Sequence, residues 1–323
     1  MPTTVRRLAA LVLGLSLVLA VAGCGSSSDA SDKGVATISV SHKFGTTKVP
    51  EGADRVVTVG WNDQDFVLAL GVVPVATRAW FDEYNDFSWV QDATDGKGVK
   101  ALGGDGINYE AIAKEKPDVI FAIYETIDKK TYERLSTIAP TVIQSDDYKD
   151  EETPWDVQML TVGKALGKAD EARRLVDQVE AKIDEAVKAN PEFADKVLVV
   201  DFGPEDGGHY LIGAGDPRRT LFDALGFAAQ DTVGDVSEEK LSLLDEDVLF
   251  VNGATEKQML ASLAFNRLDV VKDDRALYTS FDSDLSGALS YSGPKALLHA
   301  LDVLVPQLAN AVNGRPVGDL TNS

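Results

Sequence analysis

Residues 169–189, ADEARRLVDQVEAKIDEAVKA, place Ala172, Leu175, Val176, Val179, Ile183, Ala186 and Val187 at steps of three and four. That spacing puts them on one stripe of a 3.6-residue helix, with charged residues on the opposite face. Asn190-Pro191 ends the helix, because proline disfavours helical backbone in the residue before it. Such a helix is roughly 30 Å long at about 1.5 Å per residue, the width of a small domain. It lies near the middle of a 323-residue chain. On either side, short β-like runs alternate with helical runs. The helix is therefore either a crossover within one large α/β domain or a stiff bridge between two α/β lobes.

The flanking segments favour the bridge. Before it come strand candidates at Ile38–Val40, Arg55–Val59, Val72–Thr77, Pro117–Tyr124 and Pro140–Gln144, interleaved with helical runs. PDVIFAIY is apolar nearly throughout, as befits a strand buried on both faces of a parallel sheet. After the helix come KVLVVDF, a glycine-rich loop over Gly203–Gly215, DVLFVN and ALYTSF. Helices are expected at Leu221–Leu225, Ser237–Leu244, Glu256–Leu263 and from Gly293 to about Val312, the last kinked at Pro306. The halves echo each other: helix, PDVIF, helix, APTVI in the first, and helix, EDVLF, helix, RALYT in the second. The expected fold class is α/β, two Rossmann-like lobes with mainly parallel sheets bridged by one long α-helix. The lobes are expected at 36–167 and 191–315, the bridge at 168–190 and a tail at 316–323.

The N-terminus reads as an export signal. Arg6-Arg7 precede a short apolar run, Leu8–Leu19, too short to span a bilayer with confidence. Val21-Ala22-Gly23-Cys24 then resembles a bacterial lipobox, with small residues before a cysteine that takes the acyl chains. Residues 1–23 are expected to be removed, Cys24 to anchor the protein on the extracytoplasmic face of the membrane, and residues 24–35 to form a polar tether.

Composition excludes several function classes. A net charge of −21 without any basic patch argues against a nucleic-acid partner. The single cysteine rules out an internal disulfide and multi-thiolate metal sites. Three scattered histidines, His42, His209 and His299, do not make a metal cluster. No G-x-S-x-G elbow occurs. Gly213-Ala214-Gly215 lacks the small residue a dinucleotide loop needs, because Arg218 stands there, and Gly103-Gly104-Asp105-Gly106 lacks a phosphate-loop lysine. No enzyme activity is expected.

What remains is a set of aromatic and cationic residues just beyond strand ends, where open α/β sheets bind ligands. Trp61 follows the Arg55–Val59 run, Arg78 and Trp80 follow Val72–Thr77, and Tyr124 ends its strand. Arg218 and Arg219 follow the glycine-rich loop, and Tyr291 precedes the last helix. Aromatic walls with arginine forks suit a bulky, oxygen-rich ligand.

HKFGTTKVP (42–50), RVVTVGW (55–61), GGDGINYEAIAKEKPDVIFA (103–122), ERLSTIAPTVI (133–143) and LSGALSYSGPKALLHALDVLVPQL (285–308) together resemble the iron-siderophore substrate-binding lipoproteins of bacterial ABC importers. The resemblance spans about Ile38 to Val312. It implies a monomer with two lobes on one helix, modest closure, and a ferric siderophore held between them as cargo, with no resident cofactor. It also implies that Glu110 and Glu239, one per lobe, dock on arginines of the permease. One departure concerns ligand charge: where many relatives place an arginine before the Glu110 helix, this chain has Gly103-Gly104-Asp105-Gly106. That points away from strongly anionic catecholates and toward hydroxamate or mixed, near-neutral ferric complexes. Haem or a corrinoid, with Tyr210, His209 or Tyr291 as an axial ligand, is the alternative cargo. A surface hydrolase using His209 or His299 is the alternative of another class.

Overall fold

A computed structural model describes residues 35–323 apart from 79, 105 and 205–207. The signal segment, Cys24 and nearly all of the tether lie outside the described residues. Val35–Ser323 forms one compact unit.

It opens with an antiparallel hairpin, β1 (Thr37–His42) and β2 (Gly45–Pro50), paired with Ile38 opposite Val49. The sequence reading missed β2, whose single apolar residue before the proline, Val49, leaves no alternation to detect. A five-stranded parallel sheet follows, ordered β5-β4-β3-β6-β7. Its strands are β3 (Val56–Thr58), β4 (Ala76–Arg78), β5 (Ala101–Leu102), β6 (Val119–Ala122) and β7 (Thr141–Ile143). The interleaved helices are α1 (Asp63–Ala69), α2 (Ser88–Thr94), α3 (Tyr109–Glu115) and α4 (Lys129–Ser136). Every residue of β3, β6 and β7 is buried, as expected where helices cover both faces.

Helix α5 (Trp155–Ala165) leads into α6 (Ala169–Ala189), the expected bridge. Its stripe is shared between two cores. Ala172 and Val176 pack with Val56, Phe66, Phe121 and Met159 of the first half, while Val179 and Ala186 pack with Phe193, Phe222, Phe250 and Leu304 of the second. Val187, expected on the stripe, is exposed.

The second sheet contains β8 (Val197–Asp201), β9 (Gly208–Ile212), β10 (Ala228–Ala229), β11 (Gly234–Ser237), β12 (Val248–Asn252) and β13 (Ala276–Thr279). Its order is β11-β9-β8-β12-β13, with β10 also on β8. As expected, the strands are mainly parallel, with β9 as the exception. β9 runs antiparallel to both of its neighbours, β8 and β11, and it lies inside what reads from sequence as a glycine-rich loop. Its buried His209 stands where a periodicity search expects an apolar residue.

The second-half helices are α7 (Thr220–Ala224), α8 (Glu256–Met259), α9 (Asp269–Lys272), α10 (Asp284–Tyr291) and α11 (Pro294–Val312). Residues 238–244 form a 3₁₀ turn broken at Lys240, rather than the expected serine-capped α-helix. Pro306 lies inside one continuous helix whose Leu301, Leu304 and Leu308 stay buried. Among the described residues no helix is long and apolar enough to cross a membrane.

Candidate functional site between the two sheets

The site is built on the C-terminal ends of β3, β4, β6 and β8. Its organiser is Asp63, at the start of α1 and fully buried. One carboxylate oxygen accepts the backbone N–H groups of Gly60 (3.2 Å) and Ile123 (3.0 Å), and the other accepts that of Tyr124 (3.2 Å). The Trp61 amide donates to the Tyr124 carbonyl at 3.0 Å. Two loops from two strands are thus locked together, fixing Trp61 and Tyr124. A side chain at Gly60 would collide with the Asp63 carboxyl, 2.6 Å from where its Cβ would lie. Burial pushes the Asp63 carboxyl up to about 6, although the three N–H bonds oppose it.

The Arg78 guanidinium lies 3.8 Å above the Trp61 ring and forms an ion pair with Glu125. Trp80 meets Trp61 edge-on at 5.7 Å, and its indole N–H donates to the Trp61 carbonyl at 2.6 Å. Its other neighbour is Tyr291, stacked at 5.4 Å. Trp61 Nε1 donates to Glu151 at 3.4 Å, and Thr126 Oγ1 donates to the same oxygen at 3.0 Å. From the other sheet, Arg218 forms a bidentate pair with Asp216 (2.9 and 2.7 Å) and lies 5.1 Å from the Phe202 ring and 5.6 Å from Tyr210.

A cavity of about 230 Å³ joins the halves, lined by Asn62, Tyr124, Gln158, Ile183, Arg218 and Leu289 among others. Burial and the charges of Glu151 and Asp216 push the Tyr124 hydroxyl up to about 12, so it stays neutral at physiological pH.

Trp61, Arg78, Trp80, Tyr124 and Arg218 thus form one connected surface. Two expected members do not belong to its wall. Arg219 is fully buried: its guanidinium donates to the carbonyls of Leu198 (2.7 Å) and Ala228 (2.9 Å) and to Asp223 (2.7 Å), which staples β8 to β10. Tyr291 is 1% exposed and packs on Tyr84 at 4.7 Å inside the core. Sequence reasoning missed Asp63, Glu125, Glu151 and Asp216. Asp216 had a readable signal, because Asp-Pro-Arg is a cap with proline at the first position, and Asp216 accepts the Arg218 amide at 3.0 Å.

Glu110 and Glu239 are both exposed in first turns, one in each half. His209 is buried, with Nδ1 2.6 Å from Asp201. Burial lowers its pKa, but the bond to Asp201 outweighs that and leaves it raised. Among the described residues, neither His209 nor His299 pairs with a hydroxyl.

Comparisons with known proteins agree with this architecture. A family model described as periplasmic binding protein matches residues 56–275. YhfQ of Bacillus subtilis, named as an ABC transporter substrate-binding lipoprotein, is 30% identical over 58% of this chain; the match spans 57% of its own length. The Fe(3+)-citrate-binding protein YfmC of Bacillus subtilis is 27% identical over 77% of this chain and 80% of its own. The crystal structure of a periplasmic solute binding protein from Mycobacterium smegmatis superposes with a TM-score of 0.78 at 30% identity, covering 86% of this chain and 99% of that one.

Proposed function

The chain belongs to the periplasmic binding protein family, and from that premise we propose that it captures a ferric siderophore between its two sheets and delivers it to an ABC permease. The observation that carries this reading is the connected surface of Trp61, Arg78, Trp80, Tyr124 and Arg218 beside the cavity. Flat aromatic faces and guanidinium forks match a bulky ferric complex rich in oxygen. The Fe(3+)-citrate-binding relative supports a ferric cargo. The iron enters as part of the cargo, and its ligands come from the siderophore.

In this reading the protein is a monomer anchored by acylated Cys24 on the extracytoplasmic face. Glu110 and Glu239 meet cationic residues of the permease. The lobes at 36–167 and 191–315 close only slightly, because α6 contains no internal glycine or proline.

Tryptophan fluorescence tests the reading. Titration with a panel of ferric siderophores, haem and cobalamin should show quenching by at least one siderophore at micromolar concentration. Quenching by haem or cobalamin alone would transfer the protein to the other cargo class. Glu110→Lys and Glu239→Lys should leave that quenching unchanged and reduce cellular iron uptake; loss of ligand binding in either variant would sink the docking assignment.

A further inference from the structure

The arginines of the cleft are already partnered. Arg78 is neutralised by Glu125 and Arg218 by Asp216. Lys43 and Lys149 pair with Asp150 and with the cavity-lining Glu152. Glu151 is half-buried, and among the described residues it forms no ion pair; its hydrogen-bond donors are the neutral Trp61 indole and Thr126 hydroxyl. Its backbone has φ +60°, a left-handed conformation that side-chain-bearing residues rarely adopt. Its bonds to Trp61 and Thr126 hold this carboxylate beside the aromatic surface, and the next two residues, Glu152 and Thr153, line the cavity with Tyr124.

The cavity has the same polarity. Asn62 Oδ1, Thr153 Oγ1 and Gln158 Oε1 have no hydrogen-bond partner, and their residues, 4%, 3% and 2% exposed, all line it. Two buried amide oxygens and a hydroxyl without partners are costly, so the cavity favours a polar occupant with N–H groups for the two amide oxygens. At about 230 Å³ it is smaller than a whole-ligand site, which runs to roughly 300–1,000 Å³. It admits an arm of the ligand, leaving the ferric core against Trp61 and Trp80.

We infer that Glu151 sets ligand charge specificity: the preferred cargo is a ferric complex of neutral or positive net charge, of the tris-hydroxamate class, that carries a protonated amine to Glu151. This rests on the siderophore reading and deepens it. A trianionic ferric catecholate would meet an unpaired carboxylate and two arginines whose charge is already cancelled, so it would bind least.

Fluorescence titration with three probes decides this. They are ferrioxamine B, a ferric tris-hydroxamate with a pendant ammonium; its N-acetylated form, with the same core and no charge; and a ferric tris-catecholate. Ferrioxamine B should bind about tenfold tighter than the acetylated form, the effect of one half-buried charge pair. Glu151→Gln keeps an acceptor for Trp61 and Thr126, so the fold survives; it should erase that difference. Equal binding of both hydroxamates to the unaltered protein, or tightest binding of the catecholate, overturns the inference while the siderophore reading stands. No quenching by any probe, nor by the wider panel, removes both.

Discussion

The two halves of the molecule are joined in two places, and the two joints differ in kind. One is α6, a single helix whose stripe passes from the first core at Ala172 and Val176 to the second at Val179 and Ala186. The other is an aromatic seam where α1 and residues 81–90 meet α10 and α11. There Phe87 stacks on Trp89 at 4.9 Å, Tyr84 meets Tyr291 at 4.7 Å, and Phe81 meets Phe281 at 4.9 Å. Asp65 accepts from Tyr84 (2.7 Å) and Trp89 (3.1 Å), and Asn62 donates to the Tyr291 carbonyl at 3.1 Å. The helix is covalent but touches each core along a narrow line. The seam is non-covalent but broad, and it sits beside the proposed ligand surface. A molecule fastened at both resists large rotation about either, so the seam, more than the helix, limits opening.

The strongest way to break that comparison is at Gly287 in α10. A Cβ there would lie 2.6 Å from Phe87 Cε1 and Cε2, with the seam closed around it. Gly287→Leu should therefore cost about 3 kcal/mol or more, read from a urea unfolding midpoint. A loss below about 1 kcal/mol would mean that the seam yields easily and that α6 carries the connection alone.

Asp65 offers a subtler probe. Burial pushes its carboxyl up to about 7 from 3.8, against the opposing bonds from Tyr84 and Trp89. Between those two values the folded protein holds a proton that the unfolded chain has released. The stabilising contribution is therefore complete below 3.8 and lost as pH rises through 7, at up to about 1.4 kcal/mol per pH unit. Asp63, up to about 6, acts in the same direction. Thermal stability should rise as pH falls from 8 to about 5, and Asp65→Asn should flatten that rise. A wild-type protein that loses stability over that range would show the seam carboxylate to be ionised and well solvated by its donors.

The difference between the joints also explains what could be read beforehand. The stripe of α6 is written within 21 residues, so periodicity finds it. The buried strands β6, β8 and β12 are contiguous apolar runs and were equally visible. The seam joins residues as far apart as Asn62 and Tyr291, and no local period records such a pairing. The proposed ligand surface falls between these cases. Trp61, Arg78 and Tyr124 can be placed near one another from sequence because strand ends can be located. Asp63, which positions two of them, looks like any first-turn acid until its three N–H donors are in place. Arg219 misled because adjacent arginines look alike in sequence: Arg218 lines the cavity, while Arg219, the next residue of the same 3₁₀ turn, points into the sheet and donates to the carbonyls of Leu198 and Ala228.

The smallest expected effect tests how α6 itself is fastened. Lys182, on its polar side, pairs with Asp302 of α11, and their side chains are 31% and 70% exposed. Water screens such a pair, and ordering two long side chains offsets much of the attraction, so Lys182→Ala should cost less than about 1 kcal/mol. Its neighbour Ile183, partly buried, packs against the second core, and Ile183→Ala, which removes methyl groups from that contact, should cost about 2 kcal/mol. The ratio of the two losses is the informative quantity. If the lysine variant loses more than the isoleucine variant, the helix is held by charge and should loosen with salt. If the order is as expected, the apolar stripe holds it, and the joint should keep its strength across ionic conditions.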